Sequence, residues 1–326
     1  MGDEPTVPTE KAPDGRPIYD QKEVRGYHAG LYNVCCGDRE VFSASLTKGF
    51  RDGDTLLTLA YTSQDHQNRS DMTSSTSNSN FGKTGAVDFN NRMKNRSTYE
   101  TEHSFLITLT SKHYFFGGNA PTTFSLVYAK ESGNVKYPTF DTYTSWPGDY
   151  KSKAFGYEFN LNDDSSSLLY IPTPNDPLVC YSYKCYEEGS GDALQRESEI
   201  LNFLYNVWGL EDYAGQIAPR DAGNFPWQTS LDLNIVQELP GFREGDAFVI
   251  TLALENLLNF IDDDKGIIKY GYYSGRVPVL DLRIVDGERY DYSRNAFRYS
   301  FDDPFNIDRS TTQSLWRASL GIQYKF

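Results

Sequence analysis

No stretch of this 326-residue sequence approaches the ~20 consecutive apolar residues that a membrane-spanning helix requires, and the mean hydropathy is −0.58. That excludes a helical membrane protein but not a membrane barrel, where only alternate strand residues meet lipid. Positive charge is also short: 31 Lys and Arg stand against 45 Asp and Glu, a net charge of −14. Nucleic acid is therefore not an expected partner, because phosphate binding needs clustered cations. Sulfur is scarce, with 3 Met and 4 Cys. No paired CxxC occurs, so no zinc site is expected. Cys180 and Cys185 frame CYSYKC, which fits either a small disulfide-closed loop in an oxidising compartment or two free thiols. Cys35 and Cys36 carry no reading.

Catalytic signatures are missing as well. There is no GxSxG, P-loop, HExxH or helix-opening GxGxxG. His28, His66, His103 and His113 are scattered without ligand spacing, and carboxylates are too common to nominate an acid–base pair. Asp262, Asp263 and Asp264 lack the spaced ligands of a calcium loop, which favours a solvated acidic tip. The chain is expected not to be an enzyme and to hold no metal or cofactor.

Aromatics, by contrast, reach 15 %, with 24 Tyr and 20 Phe, and the dominant pattern is period-two alternation. It is clearest at the end. Trp316, Ala318, Leu320, Ile322, Tyr324 and Phe326 fall on one face, and Arg317, Ser319, Gly321, Gln323 and Lys325 on the other. A strand of this length tilted by ~40° rises roughly 25–30 Å, about the apolar height of an outer membrane. A one-residue slip would turn the charged set towards lipid, so the register should be firmly set. Similar alternation occurs around Phe42–Leu46, Leu57–Tyr61, Phe105–Leu109, Phe124–Tyr128, Leu231–Ile235 and Phe248–Leu254. Two weaker strands are expected at about 277–285 and 288–301, giving nine candidates, with a tenth before Cys35 as an option.

The connections between candidates alternate: short near 51–54, long at 63–101, fairly short at 112–121, very long at 131–228, short at 240–245, long at 259–275, very short at Asp286-Gly287 and long at 302–313. Such alternation fits a membrane barrel, with tight turns on one side and long loops on the other. A β-sandwich with Greek-key crossings has no reason to show it. Asp286-Gly287 suits a two-residue hairpin turn. Nine strands starting and ending in the same direction cannot close an antiparallel ring, which implies further strands. Inside the longest loop, Asp192 followed by Gln195 reads as a helix start, Ile200, Leu201, Leu204 and Trp208 fall at helical spacing, and Gly209 can end the helix. The Ser/Thr/Asn-rich stretch 71–80 reads as a mobile loop tip. Tyr270, Tyr272 and Tyr273 suit an interfacial aromatic girdle better than a ligand stack.

Several segments carry a family resemblance. The terminal WRASLGIQYKF resembles the last strand of outer-membrane proteins, an end that their barrel-assembly machinery reads; Trp316, Leu320, Ile322, Tyr324 and Phe326 are its signature here. GQIAPRDAGNFPWQTSLDLNIVQELPGF and VITLALENLLNFID are similar to the closing strands of TonB-dependent receptors, closest to the Oar-like group, and ENLLN (255–259) is typical of their penultimate region. PDGRPIY (13–19) and DFNNRMKNRSTYETEHSFLITL resemble Oar-like sequences too. The resemblance implies an all-β, antiparallel transmembrane β-barrel of 22 strands with a plug. Such a receptor moves a bulky ligand across the outer membrane with energy from the TonB complex. On that basis residues 1–326 are expected to be the C-terminal part of such a barrel, about 9–10 strands, with residues 1–25 a loop or extended segment. No signal peptide, plug or TonB box is recognised, so TonB would act only through parts outside this sequence. Expected partners are outer-membrane lipid, the assembly machinery and an unknown ligand. Two rival readings stand beside it: a structural or adhesive outer-membrane protein, separated by the sequence upstream of Met1, and a soluble extracellular β-sandwich binding module, separated by extraction behaviour.

Overall fold

The computed structural model describes residues 10–18, 35, 37–72, 74–75, 80, 84–88, 91–116, 120–141, 167–270, 276–281, 284–285, 288–293, 308–309 and 314–326. It is mainly antiparallel β-structure. Seven long strands form one sheet: β1 (Asp38–Phe50), β2 (Thr55–Asn68), β3 (His103–His113), β4 (Thr122–Glu131), β5 (Gln228–Pro240), β6 (Ala247–Glu255) and β7 (Arg317–Lys325). Each pairs antiparallel with its neighbours in chain order, a plain meander, and the short strand Asn95–Arg96 adds to the far end of β2. The sheet is open: among the described residues neither the outer edge of β1 nor that of β7 pairs with another long strand.

Register places the alternating residues of all seven strands on two continuous faces, since directly opposed residues in an antiparallel pair point the same way. One row runs Lys48, Leu57, Leu109, Leu126, Leu233, Leu254, Ala318. The next runs Phe50, Thr55, Ser111, Phe124, Ile235, Leu252, Leu320. The opposite face is mainly small and polar, interrupted by Leu56, Leu106, Val127 and Val249; Ser43 and Thr62, and Thr47 and Thr58, share hydrogen bonds of 3.1 Å across its first pair.

The strand ends are staggered. Phe50, the last residue of β1, lies in the row of Leu320, from which β7 continues to Lys325. About five residues of ~3.3 Å over six inter-strand steps of ~4.8 Å make a slope of roughly 30°.

The connections after β1, β3 and β5 are short. The last closes where Gly241 donates to the Asp246 carbonyl at 2.9 Å. A Cβ on Gly241 would lie 2.4 Å from that of Asp246, so only glycine fits. The connections after β2, β4 and β6 are long, and together with a hairpin of Glu10–Lys11 and Pro17–Ile18 they build a separate packed body beyond the other end of the sheet. The buried hydrophobic core of the protein lies in this body, around Phe140, Ile171, Leu204, Leu210, Tyr290 and Tyr292.

The described parts of two expected strands belong here and not in the long sheet, while 294–301 of the second lies outside the described residues. Arg276–Asp281 pairs parallel with Val135–Asp141, and Arg289–Asp291 pairs parallel with Val179–Cys180. The reason is burial: Val277, Val279, Leu280, Ile284 and Tyr290 all pack into the body's core. Among the described residues the long sheet therefore has seven long strands where nine or ten were expected. Ile284–Val285 does form an antiparallel hairpin with Arg289–Asp291, while Asp286-Gly287 and a tenth strand before Cys35 fall outside the described residues. Most of the expected extended segment 1–25 does too, but Glu10–Ile18 is a hairpin.

Helix α1 (Gly191–Asn202) starts two residues before the expected cap: the Ser190 hydroxyl accepts from the Ala193 amide. Ser190 wins because its extended backbone (φ −65°, ψ 158°) sets its oxygen over the first turn. Gln195 donates to Glu199 instead of closing a capping box. The helix runs into a π-turn at Phe203–Val207, which keeps Ile200, Leu204 and Trp208 on the buried side. Gly209 (φ +70°) ends it.

Candidate functional surfaces

Three features of this architecture bear chemistry: the apolar sheet face, the anchors that hold the body to the sheet, and a polar cleft beside them.

Among the described residues nothing forms a second layer over the apolar face. Leu320 and Ile322 are 70 % and 72 % exposed, and Phe42, Leu46, Leu59 and Ile107 are exposed as well. Aromatic rings gather at both ends of this face. At the tight-turn end, Phe242, Phe248 and Tyr324 pack together with centroids 4.7–5.8 Å apart. Tyr324 donates to Asp246 there, and His113, Phe115 and Phe124 form a second group. At the long-loop end, Tyr61, His103, Phe105 and Trp227 cluster, and Phe260 meets Trp316 edge to face at 5.0 Å. The ammonium groups of Lys48 and Lys130 lie over Phe50 and Trp227, at 5.1 and 5.2 Å, the snorkelling posture of a long cation beside an apolar surface. Of the five terminal signature residues, Leu320, Ile322 and Tyr324 lie in β7 on the uncovered face, with Trp316 just before the strand and Phe326 just after it; Trp316 is partly shielded by Phe260, and Phe326 is fully exposed.

The body is tied to the sheet by buried polar groups that sequence patterning did not single out. Asp71, expected in a mobile tip, has its carboxylate fully buried beside Arg220, which donates at 3.3 Å. Asp71 also accepts from Asn68 at 2.6 Å and from the Ser97 hydroxyl at 2.7 Å, while Arg220 donates to the Asn68 carbonyl at 2.8 Å. Asn80, at the other end of that stretch, exchanges hydrogen bonds with the Ser74 backbone. Asp71 and Asn80, the two ends of the stretch, are thus buried, while Met72 and Ser75 are exposed. Beside them Arg96 pairs with Glu100 and Glu102 and donates to Asn224, which, against the cost of burial, holds the Glu102 carboxyl below its usual range with Asn224 and Arg96 as donors.

ENLLN acts as a clamp on the last long loop. Asn256 sits in the left-handed region (φ 52°, ψ 54°) and donates to the carbonyls of Gly266 and Ser314 at 2.8 and 2.6 Å. Its amide donates to Asp232 on β5 at 2.8 Å. Asn tolerates that backbone better than other side chains. Asn256→Ala should lose about 1–3 kcal/mol of local stability, read as faster hydrogen exchange at the Ile268 amide, which donates to Ser314 Oγ. Unchanged exchange there would refute the clamp.

A polar cleft of about 680 Å³ opens at the long-loop end of β1 and β2, lined by Glu40, Asp65, Glu102 and Asp221 against Lys94 and Arg96. Among the described residues no group of three His, Cys, Asp or Glu is placed to hold a metal. Asp262 accepts from the Asp264 amide and pairs with Lys265, which lowers its pKa, so the acidic tip is a self-contained turn. Of the tyrosines expected in a girdle, Tyr270 lies in a short strand paired with Asp308–Arg309, and Tyr272 and Tyr273 lie outside the described residues. Cys180 and Cys185 are disulfide-bonded, with Cα atoms 5.4 Å apart, and Cys35 is also in a disulfide.

Within the body, burial pulls Lys136 down to about 8, with its ammonium 4.9 Å from the Trp208 ring centre. The folded pKa is below the unfolded one, so the folded protein carries fewer protons there and stability should rise with pH from about 8 to 9.5. Burial raises the hydroxyls of Tyr181, Tyr290 and Tyr292, so stability should fall above pH ~10, where unfolded tyrosines ionise and folded ones do not. Thermal melts of Lys136→Met should lack the rise and keep the fall; a rise that persists would assign it elsewhere.

No known protein family, curated protein or solved structure matches the chain.

Proposed function

We propose that the long sheet is part of the wall of an outer-membrane β-barrel of the TonB-dependent, Oar-like type, with its long loops outside the cell and its tight turns in the periplasm. In the complete protein the wall would surround a route for uptake or export of a bulky ligand, with TonB acting through parts other than this sheet.

One observation carries the reading: an apolar face seven strands wide on which, among the described residues, nothing is packed. Soluble monomers keep exposed apolar patches to a few hundred Å², and a β-sandwich would cover this face with a second sheet. Three further features support it. Aromatic rings border the face at both ends, as in barrel girdles. Tight and long connections alternate without exception along the sheet. The stagger of roughly 30° approaches the 35–45° tilt that closed barrels require. The outer edges of β1 and β7 also have a consequence. Lipid cannot satisfy their backbone groups, so the wall must continue in other strands. Because β1 and β7 run the same way, an all-antiparallel closure needs an odd number of them.

Exported into a bacterium with an outer membrane, the protein should sediment with that membrane and resist alkaline carbonate. Recovery as a soluble monomer without detergent would overturn the assignment.

A further inference from the structure

We infer that the loop body contains a guanidinium-binding socket whose resident occupant is this chain's own Arg16, carried in as a tethered ligand by the Glu10–Ile18 hairpin. Arg16 is 2 % exposed although it lies in a short two-stranded hairpin. Its guanidinium stands 5.6 Å from the centre of the Phe140 ring and donates to the Leu168 carbonyl at 2.8 Å. Phe140, Tyr290, Tyr292 and Tyr170 pack against one another at 5.3–6.1 Å, an aromatic environment of the kind that attracts a planar cation. Burial raises the Tyr290 and Tyr292 hydroxyls, so neither is an anion. Among the described residues the anion paired with Arg16 is Asp14, which accepts from Arg16 Nε at 2.8 Å and comes from the same turn.

Two features make this a site and its occupant, rather than ordinary core packing. First, the walls are held by contacts that do not involve the hairpin. Val135–Asp141 lies between Gly223–Asn224 and Arg276–Asp281. The Tyr290 and Tyr292 amides donate to Leu178 and Cys180 at 2.8 Å, and Tyr292 Oη donates to the Tyr170 carbonyl. The Cys180–Cys185 disulfide staples the strand that carries these acceptors. Second, the hairpin brings its own counter-ion. Its Asp14–Arg16 pair is neutral as a unit, so it can leave and re-enter the socket without stranding a charge in the walls. The socket therefore selects a guanidinium accompanied by a carboxylate, and an arginine-bearing acidic peptide is the class of ligand that would compete for it.

The test uses the full chain in detergent. Arg16→Ala should lower the Tm, and millimolar methylguanidinium should restore at least half of the loss, saturably, while equal sodium chloride does not and the unaltered protein does not respond. Hydrogen exchange on the unaltered protein keeps the proposal testable if that variant fails to fold. A peptide of sequence APDGRP, copying 12–17, should accelerate exchange at Ala12 and Gly15, whose amides donate to Arg16 and Ala12 at 2.9 and 2.8 Å; APDGAP should not. Absence of both effects, or equal effects of the two peptides, would overturn the socket. Neither readout depends on whether the long sheet spans a membrane.

Discussion

Leu252→Arg should destabilise the inserted protein by about 2–4 kcal/mol, the cost of a charge near the bilayer midplane on the lipid side of a barrel strand. Leu252 is the appropriate position because it lies mid-strand in β6, flanked in register by Ile235 and Leu320. Its neighbour Thr251 faces the other way, opposite Gly321, where a longer side chain has room. Thr251→Arg should therefore stay within about 0.5 kcal/mol, as surface substitutions usually do. Urea titration of both variants in lipid vesicles gives the comparison. If the apolar face met only water, the two substitutions would behave alike, and the difference between them is what the account requires.

The second large effect belongs to the body. Arg220→Ala leaves the Asp71 carboxylate, which has no exposed surface, facing Asn68, Ser97 and Thr98 without a cation. Breaking one partner out of a buried pair typically costs about 3–5 kcal/mol. Because Asp71 and Arg220 come from different long connections, the expected consequence is separation of those loops while the sheet stays intact. Hydrogen exchange should show new openings around residues 68–72 and 220–224 and none in β3 or β4. Replacing both partners, with Asp71→Asn and Arg220→Met, should recover much of the loss, since the charge is then gone. A single-residue cost below about 1 kcal/mol would mean that the pair is well solvated after all.

How much of this was legible in the sequence follows from which force holds each part. The seven long strands are readable because each keeps most of its apolar side chains to one face, and alternation from Phe105 to Leu109 or from Leu320 to Tyr324 is the direct imprint of that one-sidedness. Arg276–Asp281 was mistaken for another such strand. RVPVLD also alternates, and nothing local tells a strand beside a partner in the long sheet from one lying parallel to Val135–Asp141 inside a packed body. The anchors were invisible for another reason. Asp71 and Arg220 are 149 residues apart, and a pair brought together by tertiary folding leaves no spacing to recognise. Ser190, sitting just before α1, was available as a cap signal and lost only because Asp192 and Gln195 imitate the same pattern. Arg16 stands within PDGRPIY, yet its contacts with Phe140 and Leu168 come from far along the chain and leave no local signal.

The central claim is most directly tested by a cysteine scan of β7 in the outer membrane, one substitution at a time from Ala318 to Tyr324. The background is favourable because among the described residues no cysteine is free. A water-soluble maleimide should label positions 319, 321 and 323 and leave 318, 320, 322 and 324 unlabelled until detergent is added. Equal labelling of both sets in intact membranes would contradict the account.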